Sequence, residues 1–155
     1  MNFFSISAST VKWLMYLWPP FWFTGIRFDH ISDDFHHIRV SMPLRFYNKN
    51  FHGIQFGGSL YAMTDPCYLL MLLRNLGVDY RVLDKAAYVD YIKPGTSKVT
   101  ADFKLTDEDL KEIIEKTATG EKFFKDFTIE IKDINGELVT KVVKTLYIRQ
   151  KQKKS

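Results

Sequence analysis

Alternation of hydrophobic and polar residues predicts at least six β-strands in this chain. The clearest is residues 99–105, where apolar and polar residues alternate strictly and so give the strand one apolar face. Asn135-Gly136 stands between two further strand-like segments and is a strong signal for a tight hairpin. The other predicted strands are residues 25–32, 35–42, 82–93, 121–134 and 137–149.

A first helix is predicted near the start of the chain. Ser9 or Thr10 would act as its N-cap, and Pro19 would end it after Trp18. An anchor at a membrane surface is the less favoured alternative, because the polar face is not rich in Lys or Arg. Large apolar side chains recur at helical spacing and are expected to pack on the body of the protein: Trp13, Leu14, Leu17 and Trp18.

Two more helices follow from the pattern. Residues 57–76 are hydrophobic around the whole helix circumference, which predicts a long helix buried on every side, with Gly77 at its C-terminal end. A small inserted helix follows Thr106, whose hydroxyl would cap an acidic first turn. This helix is expected to end at about Thr119.

The order of these elements predicts an α+β fold in which a curved antiparallel sheet wraps round the long central helix. Residues 1–150 would form a single domain, followed by a disordered basic tail at residues 151–155. The last strand, residues 137–149, is apolar on both faces, so a second layer must cover it. Another subunit is the most economical cover, and we expect a homodimer or a dimer of dimers.

The charge distribution argues against a nucleic-acid partner. The 155-residue chain has 22 Lys plus Arg against 18 Asp plus Glu, a net charge of +4. Four of the basic residues lie within the last seven positions, so the remainder of the chain is neutral. Those four are Arg149, Lys151, Lys153 and Lys154.

Neither apolar stretch resembles a membrane span. Residues 13–23 are apolar but too short, since a spanning helix needs about 20 apolar residues. Residues 57–76 contain Asp65, which would cost about 2.5–3.5 kcal/mol at a bilayer centre. We therefore expect no integral membrane span and a cytoplasmic location.

A single cysteine, Cys67, excludes a disulfide framework and a multi-cysteine zinc site, and we expect no metal.

Asp65 is the residue whose position most needs a chemical explanation. It lies in the most apolar stretch of the chain, where an unpaired carboxylate is costly. It could be a helix N-cap in front of Pro66, or a buried carboxylate kept as a base or nucleophile. Both interpretations remain open at this point.

Gly57-Gly58 opens the same helix after a loop rich in Asn and Gly. Main-chain N–H groups at a helix N-terminus are unpaired and suit a developing oxyanion or a thioester carbonyl. The alternative is that the two glycines only allow close backbone packing.

These residues together resemble the active-site segment of hotdog-fold thioesterases of the phenylacetate-degradation (PaaI-like) type. That segment has an Asn, a His-Gly-Gly and an acidic residue, and here Asn50, Gly57-Gly58 and Asp65 stand at the same spacing. The string FGGSLYAMTDP, with LDKAAYVDYIKPG and KTLYIR further on, is more similar to an uncharacterised bacterial subfamily of that superfamily. The resemblance covers residues 10–149, nearly the whole chain.

The resemblance implies an acyl-thioester hydrolase with a hotdog fold. Asp65 would activate water or attack the carbonyl, Gly57 N–H would bind the carbonyl oxygen, and Asn50 would orient the water or the acid. Phe56, Gly58 and Tyr61 are the expected substrate-binding residues. The site would be shared across a dimer, with acyl-CoA or an acyl-carrier thioester as substrate and no cofactor apart from the coenzyme A of the substrate.

Position 56 departs from the family pattern, because Phe56 stands where the family has His. Losing one donor to the carbonyl typically costs a factor of about 100–1,000 in turnover. A protein that binds an acyl or lipid-like ligand without cleaving it is therefore the alternative function. A hydratase is less favoured, because no His stands at the matching place.

Overall fold

The structure, a computed structural model, describes residues 6–152, which form five helices and six strands. The predicted six strands and the mixed α+β class are confirmed. In chain order the elements are α1 Ala8–Leu17, α2 Pro19–Trp22, β1 Arg27–Ile31, β2 His37–Met42, α3 Gly57–Ala62, α4 Cys67–Leu76, β3 Tyr80–Tyr91, β4 Val99–Lys104, α5 Asp107–Thr117, β5 Lys122–Asp133 and β6 Leu138–Gln150.

The six strands form one antiparallel sheet in the order β1-β2-β4-β5-β6-β3. The hairpin of β5 and β6 turns at the predicted Asn135-Gly136, where Gly136 has a φ of 80° that favours glycine. The sheet therefore has two edges, β1 and β3. Strand β3 is a 12-residue edge strand that pairs on one side only, with β6.

Helix α4 packs across one face of this sheet. The Tyr68 ring stacks on Phe127 of β5 with centroids 4.0 Å apart and meets Phe103 of β4 edge-on at 5.6 Å. Met71 and Leu72 of the same helix are fully buried in the core. The apolar side chains of α4 thus supply the helical half of the core, as the sequence predicts.

The long central helix, however, is interrupted. Instead of one helix over residues 57–76, the structure has the six-residue α3 and the ten-residue α4, separated by a turn. Pro66 explains the interruption, because proline has no N–H to donate to Ala62 and its ring clashes with that carbonyl. The prediction of burial on every side is also wrong, since Gly58 and Asp65 are exposed.

The predicted N-terminal helix is present, but its N-cap and its buried face differ from the prediction. Its N-cap is Ser7, not Ser9 or Thr10, and Ser7 Oγ accepts a hydrogen bond from the Thr10 N–H. Pro19 ends α1 but also begins α2, as proline suits a first helical position. The side chains that α1 buries against β1 are the small residues Ala8 and Val11, while the four expected to pack are exposed: Trp13, Leu14, Leu17 and Trp18.

Helix α5 has the predicted Thr106 cap. The Thr106 and Asp109 side chains each accept a hydrogen bond from the other residue's N–H, which forms a capping box. Further on, Lys151 still contacts the body, since its N–H and its Nζ donate to the carbonyls of Asp79 and Val78. Of the predicted tail, residues 153–155 lie outside the described residues. Within residues 6–152 no helix is long and apolar enough to cross a membrane.

Candidate functional site

A pocket of about 580 Å³ opens between the loop that precedes α3 and the C-terminal end of β3. Four of the six predicted site residues line it together, namely Asn50, Phe56, Gly57 and Gly58. Asp65 and Tyr61 are not among its lining residues. The structure thus brings together the residues expected to hold the carbonyl, and it places the expected base elsewhere in the same chain.

Asn50 shapes the loop at the mouth of this pocket. Its side-chain Oδ1 accepts hydrogen bonds from the N–H groups of His52 at 2.9 Å and Ile54 at 3.3 Å. Its main chain pairs with Ile54 as well. The Asn50 side-chain nitrogen makes no hydrogen bond with another described residue, so it can donate to a ligand in the pocket.

Aromatic rings explain why two glycines stand at the start of α3. A Cβ on Gly57 would lie 3.1 Å from the ring of Tyr91, whose hydroxyl donates to the Gly57 carbonyl at 3.0 Å. A Cβ on Gly58 would lie 2.6 Å from the Phe56 ring, which folds over this first turn. The close-packing interpretation is therefore correct. In this arrangement the N–H groups of both glycines have no protein acceptor among the described residues.

Gln55 is a polar residue of this pocket that the sequence did not single out. Its side chain is buried and donates from Nε2 to the carbonyls of Met42 at 3.1 Å and Ser97 at 3.0 Å. Its Oε1 is buried without a partner among the described residues. Gly95 makes room for it, since a Cβ there would lie 2.9 Å from Gln55 Cγ. Gln55 thus joins the loop before α3 to β2 and to the segment after β3.

Asp65 lies on the turn between α3 and α4, where its side chain is 51% exposed. It is not the cap of α4, because the N-cap position is Pro66 and no side chain caps this helix. The carboxylate instead faces Lys144 of β6, with 3.2 Å between Lys144 Nζ and Asp65 Oδ1. The sequence leaves two interpretations of Asp65 open, a helix N-cap or a carboxylate kept as a base or nucleophile. The structure argues against the N-cap.

Lys144 is a second polar residue near the site that the sequence does not single out. Its side chain is 1% exposed, and Nζ contacts Asp84 Oδ1 at 3.1 Å as well as the Asp65 carboxylate and main-chain carbonyl. Burial raises the pKa of Asp84, and the charge of Lys144 opposes that rise. A signal was available, since Lys144 stands between Val142 and Leu146 at an inward position of β6.

Cys67 lies two residues beyond Asp65 and is fully buried. Burial raises the pKa of its thiol well above the ordinary value, against the opposing charge of Lys144. A thiol in that state is a poor nucleophile, which agrees with the interpretation of Cys67 as a small apolar core residue.

The charged side chain of the pocket wall is held by partners outside the pocket. Lys93 lines the pocket but forms ion pairs with Asp133, at 2.7 Å, and with Glu137. Among the described residues no group of three or more His, Cys, Asp or Glu side chains could hold a metal ion.

The predicted site has two halves, the carbonyl-binding half at Gly57 and the acid half at Asp65, and they are separated along the chain. Gly57 is the first residue of α3, and Asp65 lies on the turn beyond its C-terminal end, so the two stand at opposite ends of this helix. Each half contacts the edge strand β3 at a different point. Gly57 meets Tyr91 near the end of β3, while Lys144 links Asp65 to Asp84 in its first half.

Several solved structures share this fold over nearly their whole length. A Pseudomonas aeruginosa protein of unknown function, described as a probable thioesterase, superposes with a TM-score of 0.82 at 16% identity and covers 94% of this chain and 97% of its own. A Haemophilus influenzae thioesterase gives 0.68 at 17% identity over 94% and 92%. A mutant thioesterase from Pseudomonas aeruginosa gives 0.66 at 15% identity over 94% and 96%.

These identities are low, so the likeness establishes the fold and agrees with the expected hotdog-like architecture; the PaaI-like type stays a prediction. No curated protein matches the chain. A family model, by contrast, matches residues 7–148. The chain therefore belongs to the family described as a domain of unknown function, DUF4442.

Proposed function

We propose that the protein hydrolyses acyl thioesters, with acyl-CoA or an acyl-carrier thioester as substrate. The observation that carries the proposal is the pocket at α3, where the unpaired N–H groups of Gly57 and Gly58 lie beside Asn50. Such donors suit a thioester carbonyl and the oxyanion that forms from it. The thioesterases that share the fold agree with this choice.

The reaction follows from the groups present. The Asp65 carboxylate takes a proton from water, whose oxygen attacks the thioester carbon, and Gly57 N–H binds the resulting oxyanion. The C–S bond then breaks, and the leaving thiolate takes the proton back from Asp65. Direct attack by Asp65 on the carbonyl is the other route that this carboxylate allows: it would expel the thiolate, which is protonated by solvent, and leave a mixed anhydride that water then hydrolyses to the acid and free Asp65. Either route releases a carboxylic acid and a free thiol.

The oxyanion donors would act locally rather than through a helix dipole. Helix α3 has only six residues, so its macrodipole is small. The stabilisation we propose therefore comes from the Gly57 N–H itself, with Asn50 as an orienting donor. One such donor is typically worth a factor of about 100–1,000 in turnover.

A second copy of the chain would complete the site. Gly57 N–H and the Asp65 carboxylate must flank one thioester carbonyl, with the attacking oxygen about 3–3.5 Å from its carbon. Their positions at opposite ends of α3 do not favour this within one chain. The edge strand β3 supplies a means of association, because a long unpaired edge readily pairs with another chain. Exposed apolar side chains on it, including Leu83 and Tyr88, would then be covered.

The positions of the two half-sites on β3 suggest the register of this pairing. If two β3 strands pair antiparallel about Tyr88, Tyr91 of one copy lies opposite residue 85 of the other, directly beside Asp84. Gly57, which contacts Tyr91, then approaches Asp65, which Lys144 links to Asp84. One copy would bind the carbonyl, and the other would supply the carboxylate.

The proposal is tested by release of free thiol from a panel of acyl-CoA substrates that varies in chain length and includes aromatic acyl groups. Wild-type protein should release thiol with at least one substrate. Asp65→Asn should abolish that release while its melting temperature stays close to that of wild type, because the side chain is half exposed. If wild type releases no thiol with any substrate, the protein is not an acyl-CoA hydrolase.

One observation favours the alternative, a protein that binds an acyl ligand without cleaving it. The Phe56 ring lines the pocket where the related family has His, and it offers only an apolar wall. In that case an acyl-CoA should raise the melting temperature and be recovered intact after long incubation. The thiol-release assay distinguishes the two functions, because only the hydrolase consumes the ligand.

A further inference from the structure

Large aromatic side chains cover one exposed face of the molecule around α1 and α2. We call this face the aromatic surface and define it by six residues, each more than half exposed. An apolar side chain left in water gains nothing from the hydrophobic effect, and a patch of this kind marks an interaction site. The six residues are Trp13, Trp18, Trp22, Phe23, Phe46 and Tyr47.

The aromatic surface joins two chain segments into one continuous face. Asn48 Nδ2 donates to the Thr24 carbonyl at 2.9 Å and so fixes the loop that carries Phe46 and Tyr47 beside the end of α2. Tyr47 and Trp22 line a common recess. The Phe46 and Tyr47 rings are 5.3 Å apart, so the aromatic contact continues along the loop.

The same face leads to the mouth of the candidate pocket. Phe46 lines a recess of about 340 Å³ together with Phe51 and Phe56. Asn50, Phe51 and Phe56 line both this recess and the candidate pocket. A ligand that moves along the aromatic surface can thus reach Gly57 across apolar side chains.

The aromatic surface is basic as well as apolar. The segments that carry it, residues 6–28 and 43–56, contain four basic residues and no Asp or Glu. Arg27, Arg45 and Lys49 are exposed and form no ion pair within the part of the chain that is described. Lys12 Nζ donates to the main-chain carbonyl of Asp29, so the Lys12 charge has no carboxylate partner among the described residues.

A second copy of the chain is not the occupant that this geometry favours. Helix α1 packs on β1, at one edge of the sheet, whereas the long unpaired strand β3 forms the opposite edge. A dimer formed through β3 would therefore leave α1 exposed, together with the part of the aromatic surface that α1 carries.

We propose that the aromatic surface docks on a lipid bilayer that carries anionic headgroups. Trp and Tyr prefer the boundary between acyl chains and headgroups, because their rings are apolar and their N–H and O–H groups are polar. The unpaired basic residues around them would contact the headgroups. Helices this short lie on the bilayer and do not span it. The docking goes beyond the proposed hydrolysis, and its test needs no activity.

Tryptophan fluorescence provides a direct measurement of docking on vesicles. All three of the chain's tryptophans, Trp13, Trp18 and Trp22, lie in or between α1 and α2, so their fluorescence reports on this face alone. Vesicles of phosphatidylcholine with about one-quarter phosphatidylglycerol should shift the emission to shorter wavelength. Full-length protein should float with these vesicles in a density gradient, and added salt should reduce that flotation.

Two double variants and their controls test the two components of the surface. Arg45→Glu with Lys49→Glu should weaken vesicle binding at least about 25-fold, at about fivefold for each basic residue removed. Its control is Lys111→Glu with Lys116→Glu on α5, which changes the net charge equally and should leave binding unchanged. Trp22→Ser with Phe46→Ser should likewise reduce flotation, while the exposed pair Ile134→Ser with Phe124→Ser should not.

Three results would overturn the proposal. The first is no emission shift and no flotation with anionic vesicles. The second is equal binding to pure phosphatidylcholine, which would exclude the role of the basic residues. The third is a smaller oligomer for Trp22→Ser with Phe46→Ser than for wild type on gel filtration without vesicles, since a second copy would then cover this surface.

Discussion

The ammonium group of Lys144 lies 3.2 Å from the carboxylate of Asp65, yet the two residues are 79 positions apart in the chain. The lysine is buried and the carboxylate is half exposed. Asp84 Oδ1 contacts the same ammonium group at 3.1 Å. A buried cation between two carboxylates fixes the orientation of each, which makes Lys144 a positioning residue for Asp65 in the proposed reaction.

Replacing Lys144 with Met should therefore lower kcat more than it changes KM, because Asp65 loses the partner that orients it. The variant should also lose about 1–2 kcal/mol in the free energy of unfolding, less than for a fully buried pair because both carboxylates reach water. Steady-state kinetics and urea unfolding measure the two effects.

Lys144→Arg, which keeps the charge, should recover part of the lost kcat. Asp84→Asn is the matched control, since it removes one carboxylate but leaves the contact between Lys144 and Asp65. If Lys144→Met keeps the kcat of wild type and loses only stability, the lysine is purely structural.

Local patterns in the sequence are sufficient to predict most of the strands and helices of the fold. Strand β4 alternates between apolar and polar residues, and Asn135-Gly136 fits only a tight hairpin. The Thr106 capping box likewise depends on residues three positions apart. Each of these features depends on neighbours in the chain, so its signal is complete within a short window.

Features that depend on contacts between distant parts of the chain cannot be predicted from such local patterns. An apolar pattern shows that a face is hydrophobic but not what covers it, so Trp13 and Trp18 were expected to pack and are exposed. The pair of Lys144 and Asp65 depends on how α3 and α4 lie on β6, which no local pattern encodes. The inward position of Lys144 could have marked it as a buried charge in need of a partner.

The proposed register of the β3 strands predicts a specific cross-link. In an antiparallel pair centred on Tyr88, the two copies of this residue face each other with Cα atoms about 4.5–5.5 Å apart, within the range of a disulfide. Tyr88→Cys should therefore form a covalent dimer under mild oxidation, visible on a non-reducing gel.

The native cysteine does not interfere, because Cys67 is buried and its thiol has a raised pKa. Thr128→Cys is the control, since Thr128 lies on the same sheet face, two strands away from the edge. A Tyr88→Cys protein that stays monomeric on the gel, or a Thr128→Cys protein that cross-links equally, would contradict this register.

Two substitutions separate the role of the Gly57 N–H from the effect of adding side-chain atoms at this position. Gly57→Pro removes the N–H, and proline is well tolerated at the first position of a helix. Phe56, with φ −70° and ψ 124°, already has the extended backbone that a following proline requires. Gly57→Ala adds a Cβ at the same place, 3.1 Å from Tyr91, but keeps the N–H.

If this N–H binds the oxyanion, Gly57→Pro should lower kcat at least about 100-fold relative to Gly57→Ala. Equal rates for the two variants would show that the amide does not take part. Thiol release at saturating substrate measures the ratio, and circular dichroism checks that both variants are folded.

Mixing two inactive variants tests whether the site is shared. Asp65→Asn keeps the donor half and Gly57→Pro keeps the acid half, so a mixed dimer contains one intact site. Random exchange of subunits should restore about a quarter of the wild-type rate. Each variant alone, treated identically, is the control, and a mixture that stays inactive despite subunit exchange would mean that both halves act within one chain.

Asp102 makes the stability of the sheet depend on pH. It links β4 to β2, accepting hydrogen bonds from Arg39 at 2.9 and 3.1 Å and contacting His37 at 2.7 Å. Burial alone would raise the pKa of Asp102, but hydrogen bonds and charge from Arg39 and His37 outweigh it and hold the pKa below 3.8. A carboxylate with a lowered pKa stabilises the folded state above its unfolded pKa, and this contribution is lost as pH falls through the folded pKa.

Asp102→Asn should therefore lower the free energy of unfolding by about 1 kcal/mol at neutral pH, since the pair is partly exposed. The difference from wild type should shrink as the pH falls below about 4 and vanish once wild-type Asp102 is protonated. Urea unfolding across this pH range measures the difference. Asp33→Asn, in the exposed turn between β1 and β2, is the control and should show no comparable trend. A difference between Asp102→Asn and wild type that persists at low pH would mean that the contribution of Asp102 is steric and not electrostatic.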